Sequence, residues 1–198
     1  MTTIIFCVAA FLGTLAAANR SLRHGLLALL GVGYGYGILR ANFPDTATYM
    51  TFDAAVVGFY IGQLWRPLSP EQRKRTHDLR LWVTALMAWP VLLFFAFPTD
   101  SPLVELVGLR ANIFLIPFLL IGTRLDEDDL RWLAQGLAAL NLAVVSVGVA
   151  EYFLGIGPFY PYNEVTELIY RSKDLLGQTT HRIPGTFSSA HAFAGTMS

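Results

Sequence analysis

Arg110 and Arg182 are the two side chains whose type and setting most invite chemistry in this sequence. A guanidinium carries planar, paired donors that match a phosphate oxygen pair, so two of them at one depth would grip a phosphate or pyrophosphate bidentately. Arg110 stands about five residues into an apolar run, in Gly108-Leu109-Arg110-Ala111-Asn112. A charge at membrane depth costs on the order of 3 kcal/mol on insertion scales and persists only with a partner or a task. Two readings follow: a side chain snorkelling to the interface, or a buried cation facing an internal cavity. Arg182 arrives in His181-Arg182-Ile183-Pro184-Gly185-Thr186-Phe187, where Pro184 and Gly185 set a turn at the threshold of the next apolar run. Two unrelated interface anchors would give the same pattern.

Two carboxylates are candidate supports. Asp53 begins an apolar run, where an acidic group favours the positive end of a helix dipole, so a structural role competes with a ligand role. Glu151 closes a later run, near a helix carboxyl end, where the dipole gives it no such reason to be. It is the better candidate for pairing with an arginine, against the alternative of a solvated interfacial Glu. His77, His181 and His191 do not have metal-ligand spacing, His24 is isolated, and the lone Cys7 excludes a disulfide framework or a cysteine metal site. The chain holds no phosphate-cradling G-x-x-x-x-G-K-[ST], no dinucleotide-binding G-x-G-x-x-G and no H-E-x-x-H, so neither a nucleotide cofactor nor a metal is expected. Net charge is zero, with 14 basic and 14 acidic side chains, and nothing recommends a nucleic-acid partner.

The elements that must position these groups are apolar helices. Of the 198 residues 54% are hydrophobic and 14% charged, and mean hydropathy is +0.49. Too few charges remain to cover a water-facing surface, whereas helices among acyl chains need an apolar exterior. Runs approaching a bilayer crossing extend over Met1–Ala18, Leu22–Leu39, Thr46–Leu64, Leu79–Phe97, Glu105–Gly122 and Leu130–Leu154. Another opens at Thr186 and reaches Ser198, too short a stretch to span. The expected fold is therefore all-α, a polytopic transmembrane helix bundle of about six helices with a seventh begun. Ala16-Ala17-Ala18 resembles a signal-peptide cleavage site, but no basic segment precedes the first run, which is kept as a helix. Residues 1–198 read as a single transmembrane domain and as part of a longer protein.

Basic residues resist translocation, and they fall unequally on alternate loops. One side holds Arg20, Arg23, Arg66, Arg73, Lys74, Arg75, Arg80, Arg124 and Arg131; the other holds Arg40, Arg110, Arg171, Lys173 and Arg182. The first side is assigned to the cytoplasm, which leaves the N-terminus, Asp53, Arg110, Glu151 and Arg182 external. Residues 155–185 form an external loop in this reading. Val165, Leu168, Ile169, Leu175 and Leu176 recur there at near-helical spacing, which predicts a short helix in the membrane interface or packed on the outer mouth. The acidic Asp126-Glu127-Asp128-Asp129 reads as the charged first turn of the sixth helix. Gly31-Val32-Gly33-Tyr34-Gly35-Tyr36-Gly37 contains the core string of a potassium-channel filter, but it lies inside a continuous helical run. The pairs Gly31/Gly35 and Gly33/Gly37 instead fit small-xxx-small spacing and predict close helix packing.

Arg182-Ile183-Pro184-Gly185-Thr186-Phe187, followed by Ala192-Phe193-Ala194, resembles the arginine-glycine-phenylalanine block of bacterial O-antigen ligases and O-antigen or exopolysaccharide polymerases. Gly108-Leu109-Arg110, with Pro117 downstream, resembles a second arginine-bearing block of that superfamily. The resemblance covers little more than the latter half of the chain. It implies a metal-independent glycosyltransferase of the bacterial inner membrane, with no cofactor, working in lipopolysaccharide or exopolysaccharide biosynthesis. Its donor would be a polyprenyl-pyrophosphate-linked glycan and its acceptor a glycan or lipid, met at the external face. Arg110 and Arg182 would bind the donor pyrophosphate, with Glu151 and Asp53 in support, since preorganised cations in a dry site stabilise a leaving group that gains charge. The family carries its general base in a large external loop further along its chains. The resemblance therefore implies a base beyond Ser198, no catalytic base is assigned here, and residues 1–198 alone are expected to be inactive. The competing expectation is a transporter or flippase subunit, with Asn112, Asn141 and Ser146 along a substrate path and helix breaks at Pro90 and Pro117.

Overall fold

A computed structural model describes residues 2–96, 109–110, 113–163, 166, 183–187 and 196. Among these residues the fold is all-α: α1 (Thr2–Arg20), α2 (Leu22–Asn42), α3 (Thr46–Tyr49), α4 (Thr51–Leu64), α5 (Pro70–Ala96), α6 (Phe118–Gly122) and α7 (Glu127–Leu154). Among the described residues three segments are long and apolar enough to cross a membrane: Thr3–Arg20, Leu79–Ala96 and Glu127–Leu154. The expected helical membrane bundle is what the chain forms. The helix expected between Asn163 and Gly177 lies outside the described residues, apart from Asn163 and Thr166. So does the seventh run expected from Thr186 to Ser198, apart from Thr186, Phe187 and Thr196; Ser198 itself is among the residues not described.

The helix boundaries follow from local chemistry. Ser69 and Gln72 form a capping box, in which Gln72 N–H donates to Ser69 Oγ at 3.2 Å and Ser69 N–H donates to Gln72 Oε1 at 3.1 Å. Pro70 follows at the first helical position, where its missing N–H costs nothing. This start lies nine residues ahead of the apolar run, so the basic stretch through Arg80 is a helical lead-in and not a loop. Asp126 caps α7 by accepting from Asp129 N–H at 2.7 Å, with Glu127, Asp128 and Asp129 in the first turn as the dipole favours. The run expected over Thr46–Leu64 is divided at Met50 into α3 and α4. The Tyr49 carbonyl beside the break accepts from the Tyr36 hydroxyl at 3.1 Å, which draws it toward α2. Pro117 likewise interrupts the apolar segment Ile113–Gly122, and Leu119 and Leu120 donate three residues back to Ile116 and Pro117.

The chain divides into two compact units, residues 1–64 with 131–198, and residues 65–130. In the second unit α5 meets α6 and the turn after it, through Gln72 Nε2 donating to the Arg124 carbonyl at 3.1 Å and the Thr76 and Thr123 hydroxyls 3.3 Å apart. In the first unit Ser21, extended between α1 and α2, caps α2 and reverses the chain, so that Phe6 and Phe43 at the far ends stack at 5.1 Å.

The tightest helix pair is α1 against α4, and small residues make it so. Ala10, Thr14 and Ala18 recur every four residues on α1 and are buried, as are Ala55, Gly58, Phe59 and Gly62 on α4. A side-chain carbon on Gly58 would run into the Phe11 carbonyl oxygen, and one on Gly62 would stand 2.6 Å from Ala18 Cβ. Such close approach maximises van der Waals contact, which in lipid replaces the hydrophobic effect as the force between helices. Thr14 Oγ1 lies 2.7 Å from Ala10 O and 2.9 Å from Ala55 O, and Gln63 Nε2 donates to Ala18 O at 3.1 Å. The packing stripe expected at Gly31/Gly35 makes no seam among the described residues: both glycines have open space beside them. With Phe6, Ala9, Ile38 and Phe43 they line an apolar cavity of about 540 Å³ between α1 and α2. Gly33 is different, since a Cβ there would stand 3.3 Å from the Phe52 ring. Helix α2 runs through the whole Gly31–Gly37 string, the regular helix that the packing reading requires.

Candidate functional site

Polar side chains gather at one end of the first unit, where the loop after α2, the start of α1 and the segments 156–166 and 183–187 meet. Thr3 Oγ1 donates to Asp45 Oδ2 at 2.6 Å, tying the start of α1 to the cap of α3. Asn42 Nδ2 reaches Phe159 O at 2.8 Å, and Asn163 Nδ2 reaches Ala41 O at 2.7 Å. Asn163 and Thr166 satisfy each other reciprocally, Asn163 N–H to Thr166 Oγ1 at 2.9 Å and Thr166 N–H to Asn163 Oδ1 at 3.1 Å. Ala41, Ile156 and Tyr160 make the apolar plug beneath, with Ile38 and Phe159 packed on it. Arg40 lies over the Tyr49 ring at 4.2 Å, a cation held on an aromatic face at the same end.

Into this end fits the turn Pro184-Gly185-Thr186-Phe187. Gly185 sits at φ +61°, in the left-handed region that glycine enters without steric cost, and Pro184 fixes the approach. Glu151, one turn from the end of α7 and 1% exposed, accepts from Gly185 N–H through Oε2 at 3.0 Å. The Tyr160 hydroxyl, fully buried, lies 2.9 Å from Gly185 O and 2.6 Å from Phe187 O. Burial foremost, and the negative charge of Glu151 after it, push the Tyr160 phenol far above its usual range, so it stays a donor. Ile38 N–H, within α2, donates to Thr186 O at 3.0 Å. Gly37 beside it is buried. Phe187 closes the contact against Tyr34 at 5.3 Å, and Tyr34 in turn donates to Asn141 Oδ1 on α7 at 2.7 Å.

The four residues singled out in the sequence have different settings. Glu151 lies in the midst of the network, and its partner is a backbone amide. Asp53 lies half-buried in the first turn of α4, where the helix dipole favours it. Arg110 is half-buried, helical with Leu109, and belongs to the second unit. Arg182 lies outside the described residues and is joined directly to Ile183, which is described. The general base expected beyond Ser198 has no counterpart to report, since Ser198 also lies outside the described residues. Tyr160, Asn42, Asn163 and Ile38 were not singled out. Asn163-x-x-Thr166 carries a capping signature that was open to reading; the Ile38 amide carries no sequence signal at all.

The opposite end of the unit is built from basic and aromatic groups. His24 and Trp132 stack at 4.8 Å, and Arg23 stands 5.5 Å from the Trp132 ring centre.

No family model, curated protein or solved structure matches the chain. The site's chemistry therefore rests on its own residues. Buried acceptors and donors here hold a backbone turn.

Proposed function

We propose that the protein is a glycan ligase or polymerase of the bacterial inner membrane, of the kind that transfers a polyprenyl-pyrophosphate-linked oligosaccharide or polysaccharide to an acceptor at the external face. The observation that carries this reading is the capture of Gly185 by buried Glu151, with Tyr160 and Ile38 holding the carbonyls around it. The block that the resemblance to O-antigen ligases and polymerases singles out is thus held, over Gly185–Phe187, by two buried side chains, Glu151 and Tyr160. A loop that merely joined two helices would not need a buried carboxylate to fix one of its amides, because desolvating that carboxylate is costly.

In this mechanism the pyrophosphate of the donor meets Arg182. The acceptor hydroxyl displaces it, the glycosidic C–O bond to the lipid pyrophosphate breaks as the new C–O bond forms, and the pyrophosphate leaves with the lipid. That arginine stabilises the charge that develops on the leaving group. The proton released by the acceptor passes to a general base, which the resemblance implies and which is not assigned here. Of the polar groups that a transport path would use, Asn141 accepts from Tyr34 and Ser146 donates to Leu142 O at 2.8 Å, while Asn112 lies outside the described residues.

Replacing Arg182 by Ala, with membrane insertion verified, should lower glycan transfer by about a hundredfold or more, the scale of losing one preorganised charge-stabilising donor. Undiminished transfer by R182A would overturn the assignment.

A further inference from the structure

We infer that Glu151 is a positioning residue, one that acts as a backbone-amide acceptor to lock onto α2 the Pro184–Phe187 turn, which follows Arg182 in the chain. Tyr160 is the second jaw of the same clamp. The effect on activity rests on the transferase reading; the clamp itself does not.

Glu151 is 1% exposed and its one bonded oxygen, Oε2, is occupied by Gly185 N–H at 3.0 Å. A carboxyl so enclosed is not open to an acceptor hydroxyl, which separates it from a general base. Its second oxygen, Oε1, has no hydrogen-bond partner among the described residues, so the only bond shown to depend on this side chain is the one to the turn. That bond uses an acceptor oxygen, which a Gln carbonyl offers in the same place. Tyr160 completes the grip from the other face. Its hydroxyl is within reach of the carbonyls on both sides of Thr186, and its single proton serves one or the other. Both side chains come from segments adjoining in sequence, the last turn of α7 and the loop that follows, while the Ile38 amide that takes Thr186 O comes from α2. The turn is thereby stitched to two elements of the first unit at three successive residues. Losing the acceptor frees Gly185 N–H and leaves it buried without a partner, a penalty the turn relieves by lifting off.

The test uses Thr186→Cys as a reporter in a Cys7→Ala background, in the membrane-embedded protein, with a small maleimide as probe. Thr186 Oγ1 is buried without a hydrogen-bond partner among the described residues, so the exchange leaves the backbone contacts in place. E151A should raise the labelling rate at 186 by about tenfold, the factor that one lost hydrogen bond carries, and E151Q should leave it within about twofold of the parent. Labelling of native Cys7 in the Thr186 parent reports on α1 and should not change. If E151A exposes Cys7 as well, Y160F decides: faster labelling at 186 alone supports the clamp, and none overturns it. Labelling at 186 that E151A does not accelerate overturns it, and so does an E151Q that labels as fast as E151A. In transfer assays E151A should lose about tenfold in kcat with KM little changed, and E151Q should restore it. Accelerated labelling with undiminished transfer would leave the clamp standing and remove its tie to transfer, whereas the R182A result tests the transferase reading separately.

Discussion

The seam between α1 and α4 and the polar end beneath the 183–187 turn hold the same unit together by opposite means. The seam is made by what side chains lack: Gly58 and Gly62 bring the α4 backbone against Phe11 and Ala18, and Thr14 adds a hydroxyl between the two chains. The polar end is made by what side chains supply, with Glu151, Tyr160, Asn42 and Asn163 each bonding a backbone group of another segment. Close packing of small residues is rigid and indifferent to solvent conditions, while bonds to a turn can be broken one at a time. The transferase proposed above would use both, a scaffold that does not yield and a loop held in register.

The contrast can be broken most severely at the seam. Gly58→Ala places a carbon against the Phe11 carbonyl oxygen, which belongs to a helix backbone and cannot swing away. It should cost about 3 kcal/mol of stability in mild detergent, the upper part of the overpacking range. Gly31→Ala and Gly35→Ala enter open space and should be neutral or stabilising by up to about 1 kcal/mol, since Ala is the better helix former. Denaturation of the three variants side by side checks this; a G35A as damaging as G58A would mean that the seam has been assigned to the wrong glycines.

A smaller and pH-dependent effect belongs to the polar end. Asp45 is held below its usual value of 3.8, first by the hydrogen bond from Thr3 and then by the amides of Ala47 and Thr46. A carboxylate lowered in the folded state lends stability that is present above the unfolded value and disappears as pH falls through the folded one. The tie between α1 and the loop after α2 should therefore loosen in acid below about pH 4, read as faster amide exchange in the first turn of α1. Asp45→Asn should abolish that acid step and leave the seam's stability flat over the same range. An acid step that survives Asp45→Asn would assign it to another group.

Fold class was legible because lipid imposes it: a chain with so few charges and such long apolar runs has helices as its way to satisfy its backbone. The seam was legible in kind and misplaced in detail. Small-xxx-small spacing occurs at Gly31/Gly35 and at Gly58/Gly62 alike, and which one closes depends on the partner face, which Ala10, Thr14 and Ala18 supply on α1. Spacing within one helix carries no information about the other. Glu151 stood out as a carboxylate at the wrong end of a helix dipole, yet its partner could not be read, because a backbone amide 34 residues away leaves no mark in residue type. The division of Thr46–Leu64 at Met50 was hidden for the same reason, since the carbonyl taken by Tyr36 is invisible to hydropathy.

The central claim, covalent transfer from a lipid-linked donor, is met most directly in reconstituted vesicles given a polyprenyl-pyrophosphate-linked glycan on the face that holds the 183–187 turn. The account predicts an acceptor-joined glycan and release of the polyprenyl pyrophosphate, with no net movement of solute across the bilayer. Vectorial movement of the donor or a solute without any new covalent product would contradict it.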